Sequence, residues 1–218
     1  MKRPGEEMAK ADAQHSSTSG VLEDMAAAAA ATVEWDAELM LRLRAGDVAS
    51  FSLLLERHRS PVIHFLYRMV QNQGVAEELA QEVFLRVYRS RDSYEPTAKF
   101  TTWLFRIATH LALNWIRDHR NEKSSASLDE ETAEGIARQV SDRRPTVEQS
   151  LVRDARMAEI RTAIETLPEK QRAAVLMHKY EELEYSQIAR VLDCSESAVK
   201  SLLFRAYETL RARLAHMA

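Results

Sequence analysis

From Trp35 onward, apolar residues recur at the three-to-four spacing of amphipathic helices. Leu39 and Leu43 start the pattern, Gly46-Asp47 interrupts it, and Phe51, Leu54 and Leu55 resume it in a second helix. Pro61, with no N–H to donate, is expected to open or kink the next stretch, which carries Val62, Phe65, Leu66 and Met69 and stops around Asn72-Gln73-Gly74. Val75 to Arg89 is the cleanest amphipathic segment, with Ala76, Leu79, Ala80, Val83, Phe84, Val87 and Tyr88 in one stripe. A further helix is predicted from about Thr101 to Arg120. Residues 121–147 turn polar and charged and read as a flexible linker, with room for a short helix at Glu134 to Val140. Helical spacing returns near Val147 and runs to the C-terminus. Residues 1–34 are polar, then Ala-rich, without a sustained period, and read as a disordered extension. The expected fold is all-α: two small helical domains, 35–120 and 148–218, on a flexible linker.

Composition agrees with this pattern and narrows the chemistry. Five Gly and five Pro in 218 residues are few, as short connections between helices require. A single cysteine, Cys194, excludes an internal disulfide, and no apolar run approaches a membrane span. The Ala26–Ala31 tract follows Glu23 and Asp24 rather than a basic stretch, so it does not read as a signal peptide. A cytoplasmic protein without membrane insertion is expected. There is no Gly-rich phosphate loop, no His pair at metal-binding helical spacing and no nucleophile motif. No catalytic residue, metal, cofactor or small-molecule substrate is therefore expected, and the chain reads as a non-enzyme. Its formal net charge of −3 argues against coating nucleic acid by charge alone.

The stretch "YSQIARVLDCSESAVKSLLFRA", Tyr185 to Ala206, fits a helix-turn-helix frame. Ile188, Leu192, Cys194, Val199 and Leu202 fall at burying positions, and Ala189 falls where the two helices cross closely. Ser195 is a natural N-cap for the second helix, with Glu196 in its first turn. Ser197, Lys200, Ser201, Phe204 and Arg205 are left facing outward, a set of hydroxyls, cations and one ring that suits a major groove. An ordinary helical hairpin with a solvated face has the same frame. Upstream, "LPEKQR" places Pro168 and Glu169 at a strong helix start.

Two further faces lie in the first domain. In "AKFTTWLFRIATHLALNWIRDHR", Leu104, Ile107, Ala108, Leu111 and Trp115 make a core stripe, while Trp103, Arg106, His110, Asn114 and Arg117 share a second face. Aromatic and basic groups interleaved in this way suit unpaired bases. An edge Trp half-buried against a neighbouring helix, with solvated arginines around it, fits the spacing equally well. On the preceding helix, Glu78, Gln81, Glu82 and Leu85 lie opposite the core stripe, as a docking face for a basic partner would.

These stretches, in this order, resemble the sigma factors of bacterial RNA polymerase of the extracytoplasmic-function type. "LPEKQRAAVLM…YEELEYSQIARVLDCSESAVKSLLFRA" resembles their promoter-reading fourth region, with Glu182 and Glu184 where the family commonly has Gly and Ser. "AEELAQEVFLRVYRSRDSYEPTAKFTTWLFRIATHLALNWIR" resembles their second region nearly end to end. The resemblance implies a transcription initiation factor whose partners are core RNA polymerase, promoter DNA and an anti-sigma factor. It places polymerase binding on Gln81 and Glu82, which share their helix face with Glu78 and Leu85. It places minus-ten recognition and melting on the loop "DSYEPTAKF" and the helix after it: Ser93, Tyr94, Thr97, Ala98, Lys99, Phe100, Thr102, Trp103, Arg106, His110, Asn114 and Arg117. It places minus-thirty-five recognition on Arg172, Ser195, Ser197, Lys200, Ser201, Phe204 and Arg205. A stand-alone helix-turn-helix regulator, or a helical adaptor that binds only protein, is the alternative; neither gives the Trp103 and Glu82 faces a role on DNA and polymerase together.

Overall fold

The computed structural model describes residues 35–125 and 147–217, with side chains over 35–120 and 156–217. The disordered extension expected over 1–34 and the short helix allowed at Glu134 to Val140 lie outside the described residues. Every regular element among the described residues is a helix. They comprise α1 (35–44), α2 (Val48–Val70), α3 (Gln73–Arg89) and α4 (Phe100–Ser125), then α5 (Val147–Glu165), α6 (Glu169–Tyr180), α7 (Tyr185–Val191) and α8 (Glu196–Arg213). One-turn 3₁₀ helices follow α3, at Arg91–Ser93, and α8, at Ala215–Met217.

Local chemistry explains the breaks. Gly46 has φ +99°, with no atom near its would-be Cβ, so backbone conformation rather than space calls for glycine there. Asp47 then caps α2, its carboxylate accepting from the Ala49 N–H at 3.1 Å and the Ser50 hydroxyl at 2.7 Å. Gln71 takes the left-handed conformation at the end of α2, and Asn72 caps α3 by accepting from the Val75 N–H at 3.1 Å. Pro61 neither opens nor ends a helix: α2 runs through it for 23 residues. The reason is packing. Leu54, His58, Val62, Phe65 and Met69 are all buried and continue one stripe across the proline, and burial of each large apolar side chain contributes roughly 1.5–3 kcal/mol. The helix after it also outruns its prediction, with α4 continuing to Ser125, inside the segment read as linker.

In the first domain α2 packs on α3 and α4, and α3 packs on α4. Ala76 and Ala80 let α3 approach closely, and Phe65 meets Phe105 edge to face at 5.2 Å between ring centroids. In the second, α6, α7 and α8 pack on one another around Leu176, Met177, Ile188, Val199 and Leu203. The two domains are docked: α7 lies on α4, and α6 on α2, so that the apolar core is continuous between them.

Arg172 is the polar centre of this docking. Its guanidinium donates to the Met69 carbonyl in the last turn of α2 at 2.6 Å, to the Glu165 carbonyl at the end of α5, and to the Leu167 carbonyl at 3.4 Å. These are carbonyls that helix ends leave without partners and where the helix dipole is negative. Burial pulls the Arg172 pKa down from its ordinary value, and the charges of Glu165 and Glu169 oppose that pull. The residue is therefore a cross-domain bracket in this structure, away from the promoter-reading role that the resemblance implies. Arg172→Ala should destabilise the protein by about 2–3 kcal/mol in chemical denaturation, because helix-end carbonyls lose charged donors. Arg172→Lys should recover little of it, since an ammonium cannot span carbonyls from two helices as the planar fork does.

Candidate nucleic-acid interface

The helix-turn-helix forms as its sequence directs, with two adjustments. Ser195 caps α8 by accepting from the Ala198 N–H at 3.1 Å, and Ile188, Leu192 and Val199 are buried. Leu203, rather than Leu202, makes the deepest contact of that turn; Leu202 and Cys194 are half-buried. The Glu184 N–H, free at the start of α7, is taken by the Gln187 side-chain oxygen at 2.9 Å. Glu182 carries φ 52° and Asp193 φ 50°, left-handed conformations at the two corners of the unit. Glu182 is thus a residue with a Cβ in a backbone conformation that favours glycine.

Ser197, Lys200, Ser201, Phe204 and Arg205 share one exposed face of α8, and Phe204 is 67% exposed. The Ser201 hydroxyl donates to the Ser197 carbonyl at 3.0 Å. Ser195 lies at the edge of this face with its oxygen engaged as the cap. Arg172 is not brought to it.

The loop before α4 divides into anchors and surface. Tyr94, Phe100 and Thr102 are buried, so three residues assigned to DNA by resemblance are support groups in this conformation. Tyr94 and Phe100 hold Trp103 between them, at 5.1 and 5.8 Å between ring centroids. Trp103 is accordingly half-buried, which unites the two readings of it: an edge aromatic, with part of its ring left at the surface. Ser93, Thr97 and Lys99 are exposed and Ala98 is half-exposed. Beneath the loop, His58 Nε2 lies 3.0 Å from the buried Asp36 carboxylate, and the His58 ring packs on Phe100 at 5.2 Å. Burial raises the Tyr94 pKa, and the Asp36 charge adds to the effect. Sequence reasoning missed this support; its one trace is a histidine in the apolar stripe of α2.

Arg106, His110, Asn114 and Arg117 continue the α4 face as expected. What the pattern did not predict is that this face meets the second domain. The Asp193 carboxylate accepts from Arg106 at 2.7 Å and lies 3.5 Å from His110 Nε2, and Arg120 pairs with Glu169 at 2.9 Å. Next to the exposed face, Thr102 accepts from the Gln187 side-chain amide at 3.0 Å, both residues being buried. On α3, Glu78, Gln81, Glu82 and Leu85 share one face, with Glu82 held by Arg86 at 2.7 Å and Leu85 exposed. No helix among the described residues is long and apolar enough to cross a membrane.

Fold and surfaces define a helical DNA-binding protein with a helix-turn-helix C-terminal domain. Comparison with known proteins makes this specific. Sigma-70 region 2 matches residues 54–122, and Sigma-70, region 4 matches residues 157–210. The chain is 32% identical to the RNA polymerase sigma-H factor of Pseudomonas aeruginosa over 182 residues, covering 82% of this chain and 93% of that protein. It is 32% identical to the ECF RNA polymerase sigma-E factor of Escherichia coli K12 over 180 residues, 80% of this chain and 92% of that protein. Among solved structures, CnrH in complex with the cytosolic domain of CnrY aligns with TM-score 0.60 at 22% identity, over 84% of this chain and 99% of that one. The sigma factor RpoE in complex with the anti-sigma factor NepR, from Bartonella quintana, aligns with TM-score 0.60 at 21% identity, over 76% and 96%. The chain belongs to the sigma-70 family, in its extracytoplasmic-function branch, whose members direct RNA polymerase to promoters at the start of transcription.

One titration follows from the geometry between the domains. Arg68 lies over the Tyr180 ring at 4.0 Å, and beside it Glu181 is pushed up from 4.5 to about 7, by burial first, with Arg68 opposing. A carboxyl that holds its proton more firmly when folded contributes stability that is full below its unfolded pKa and lost as pH rises through the folded one. Melting temperature should therefore fall between about pH 5 and pH 8. Glu181→Gln should flatten that fall and melt higher than the parent at the alkaline end, as differential scanning fluorimetry across this range would record.

Proposed function

We propose that the chain divides initiation among three surfaces. Glu78, Gln81, Glu82 and Leu85 on α3 dock core RNA polymerase. The exposed part of the loop, Ser93 and Thr97 to Lys99, with Trp103, Arg106, His110, Asn114 and Arg117 on α4, takes the melted minus-ten strand. Ser195, Ser197, Lys200, Ser201, Phe204 and Arg205 on α8 read the minus-thirty-five element. The observation that supports this reading is the separation of three chemically distinct faces onto three helices: acidic with one leucine, aromatic with basic, and hydroxyl with basic. A lone operator-binding protein needs only the third. Tyr94 and Phe100 act on the strand through Trp103, which they pack against, while Thr102, bonded to Gln187, and Arg172 act through docking.

No bond is made or broken by this chain; RNA synthesis belongs to the polymerase. A strand-separating surface of this kind works by stacking and capture of unpaired bases, which intact duplex hides. An anti-sigma protein is the expected regulatory partner, as the complex of RpoE with the anti-sigma factor NepR suggests, and the cytoplasm is the expected compartment.

Purified chain added to core polymerase should give promoter-dependent transcripts; a stand-alone regulator would bind an operator and give none. Within that assay, Lys200→Ala and Arg205→Ala should each weaken use of promoters that depend on the upstream element by about 1–3 kcal/mol of discrimination, with core binding retained. Normal transcription by both variants would remove α8 from the reading. Glu82→Arg and Leu85→Asp should impair co-purification with core while circular dichroism stays unchanged, because both lie off the buried stripe. Undiminished pull-down by both would remove α3.

A further inference from the structure

We propose that Asp36 and His58 are positioning residues for promoter opening: one buried carboxylate on α1 orients the ring stack that seats Trp103. This rests on the reading of Trp103 as part of the strand-binding face. The contacts run without a break. A carboxylate only accepts, so the His58 Nε2–H donates to Asp36, at 3.0 Å. The His58 ring meets Phe100 at 5.2 Å between centroids, and Phe100 meets Trp103 at 5.8 Å. Tyr94 joins the same stack, 5.1 Å from Trp103 and 6.4 Å from Phe100. His58, Phe100 and Tyr94 are buried, and of the four rings Trp103 alone reaches the surface.

What the polar pair supplies is direction. Leu39, Met40 and Leu43 already bury α1 against the core, and well-packed hydrophobes of similar volume commonly match or exceed a buried polar pair in stability. A ring's last torsion, by contrast, is broad and nearly two-fold, so packing alone leaves it loosely set. The hydrogen bond to Asp36 fixes the plane of His58, and the plane of His58 sets how Phe100 lies against it. Asp36 is itself held from both sides, since its other oxygen lies 3.2 Å from the Arg57 guanidinium. Helix α1 also meets the loop directly, where Arg44 donates to the Tyr94 carbonyl at 3.5 Å. The segment matched to Sigma-70 region 2 begins at residue 54, after Asp36 and Arg44, so α1 enters opening through these contacts alone.

The test uses the full chain assembled with core polymerase, on a promoter that it transcribes. Opening is followed by a fluorescent base in the melted segment. Asp36→Leu with His58→Phe exchanges the bonded pair for an apolar one that keeps a ring and similar volume. This double variant should melt close to the parent's temperature yet open the duplex about fivefold more slowly, because a displaced stacking group acts on rate. A pre-melted template should restore its transcription. Asp36→Asn keeps an acceptor for His58 and should open within about twofold of the parent. Trp103→Ala should slow opening by itself, and adding the double substitution to it should slow opening no further, as groups acting through one ring are not additive. Parent-like opening by the double variant, or additive slowing on top of Trp103→Ala, would overturn the positioning role and leave the strand-binding reading standing. Opening at the parent rate by Trp103→Ala would overturn that reading, and this proposal with it. If the double variant melts far below the parent, His58→Phe alone, with Asp36 still beside Arg57, carries the same comparisons with an expected slowing of about threefold.

Discussion

A single guanidinium holds the ends of two helices from opposite halves of the chain. Arg172 collects the carbonyl of Met69 from α2 and the carbonyls of Glu165 and Leu167 from the end of α5 and the turn after it. Taking a permanent cation out of water is costly, and its Nε is buried without a partner. The cost is offset because helix-end carbonyls are concentrated partial negative charge. The bracket sits within a docked arrangement in which α6 lies on α2 and α7 on α4, with the apolar core continuous between the domains.

Helix α4 lies at the junction of these demands. One side belongs to the first domain's core through Leu104, Phe105, Ala108 and Ala112; another is covered by the second domain at Thr102 and Thr109, where the Thr109 hydroxyl approaches the Met177 sulfur at 4.0 Å. What remains is a narrow band from Trp103 to Arg117. A helix held on two sides presents such a band with little freedom, which favours stacking surfaces whose geometry must be set before an unpaired base arrives. Tyr94 and Phe100 extend the same constraint into the loop. They spend their rings on the core so that Trp103 stays in place while Ser93, Thr97 and Lys99 stay in water.

Much of this was legible in the sequence because helical periodicity and caps are local signals. The Gly46-Asp47 break, the Ser195 cap, the stripe of α3 and the outward face of α8 need only neighbours within a turn or two. Pro61 misled because a missing N–H is also a local signal, whereas the buried stripe that carries α2 through it spans the whole helix. The structural contacts of Arg172, Gln187, Thr109 and Asp193 were not legible for the opposite reason: each acts on a partner 68 or more residues away. Nothing in "LPEKQR" distinguishes an arginine for carbonyls from one for phosphate. Thr109 fell between the two faces drawn on α4 and Thr102 entered only through the resemblance, since a small hydroxylated residue carries no periodic signal of its own. The link from His58 to Asp36 escaped in the same way.

The sign of the charge at the domain contact connects these elements to the overall net charge of −3. A protein of near-neutral balance cannot depend on bulk counterion release to find DNA, so its affinity has to come from local cationic bands. Such a band on α4 would be available at all times if the second domain were merely tethered. Here Asp193 and Glu169 place their carboxylates against it, at the two ends of the segment from Arg106 to Arg120. At this contact the second domain therefore neutralises, at short range, part of the cationic band on α4. The Asp193 corner directly precedes the capped start of α8, so the carboxylate that meets α4 and the exposed face of α8 belong to one short helix-turn-helix unit.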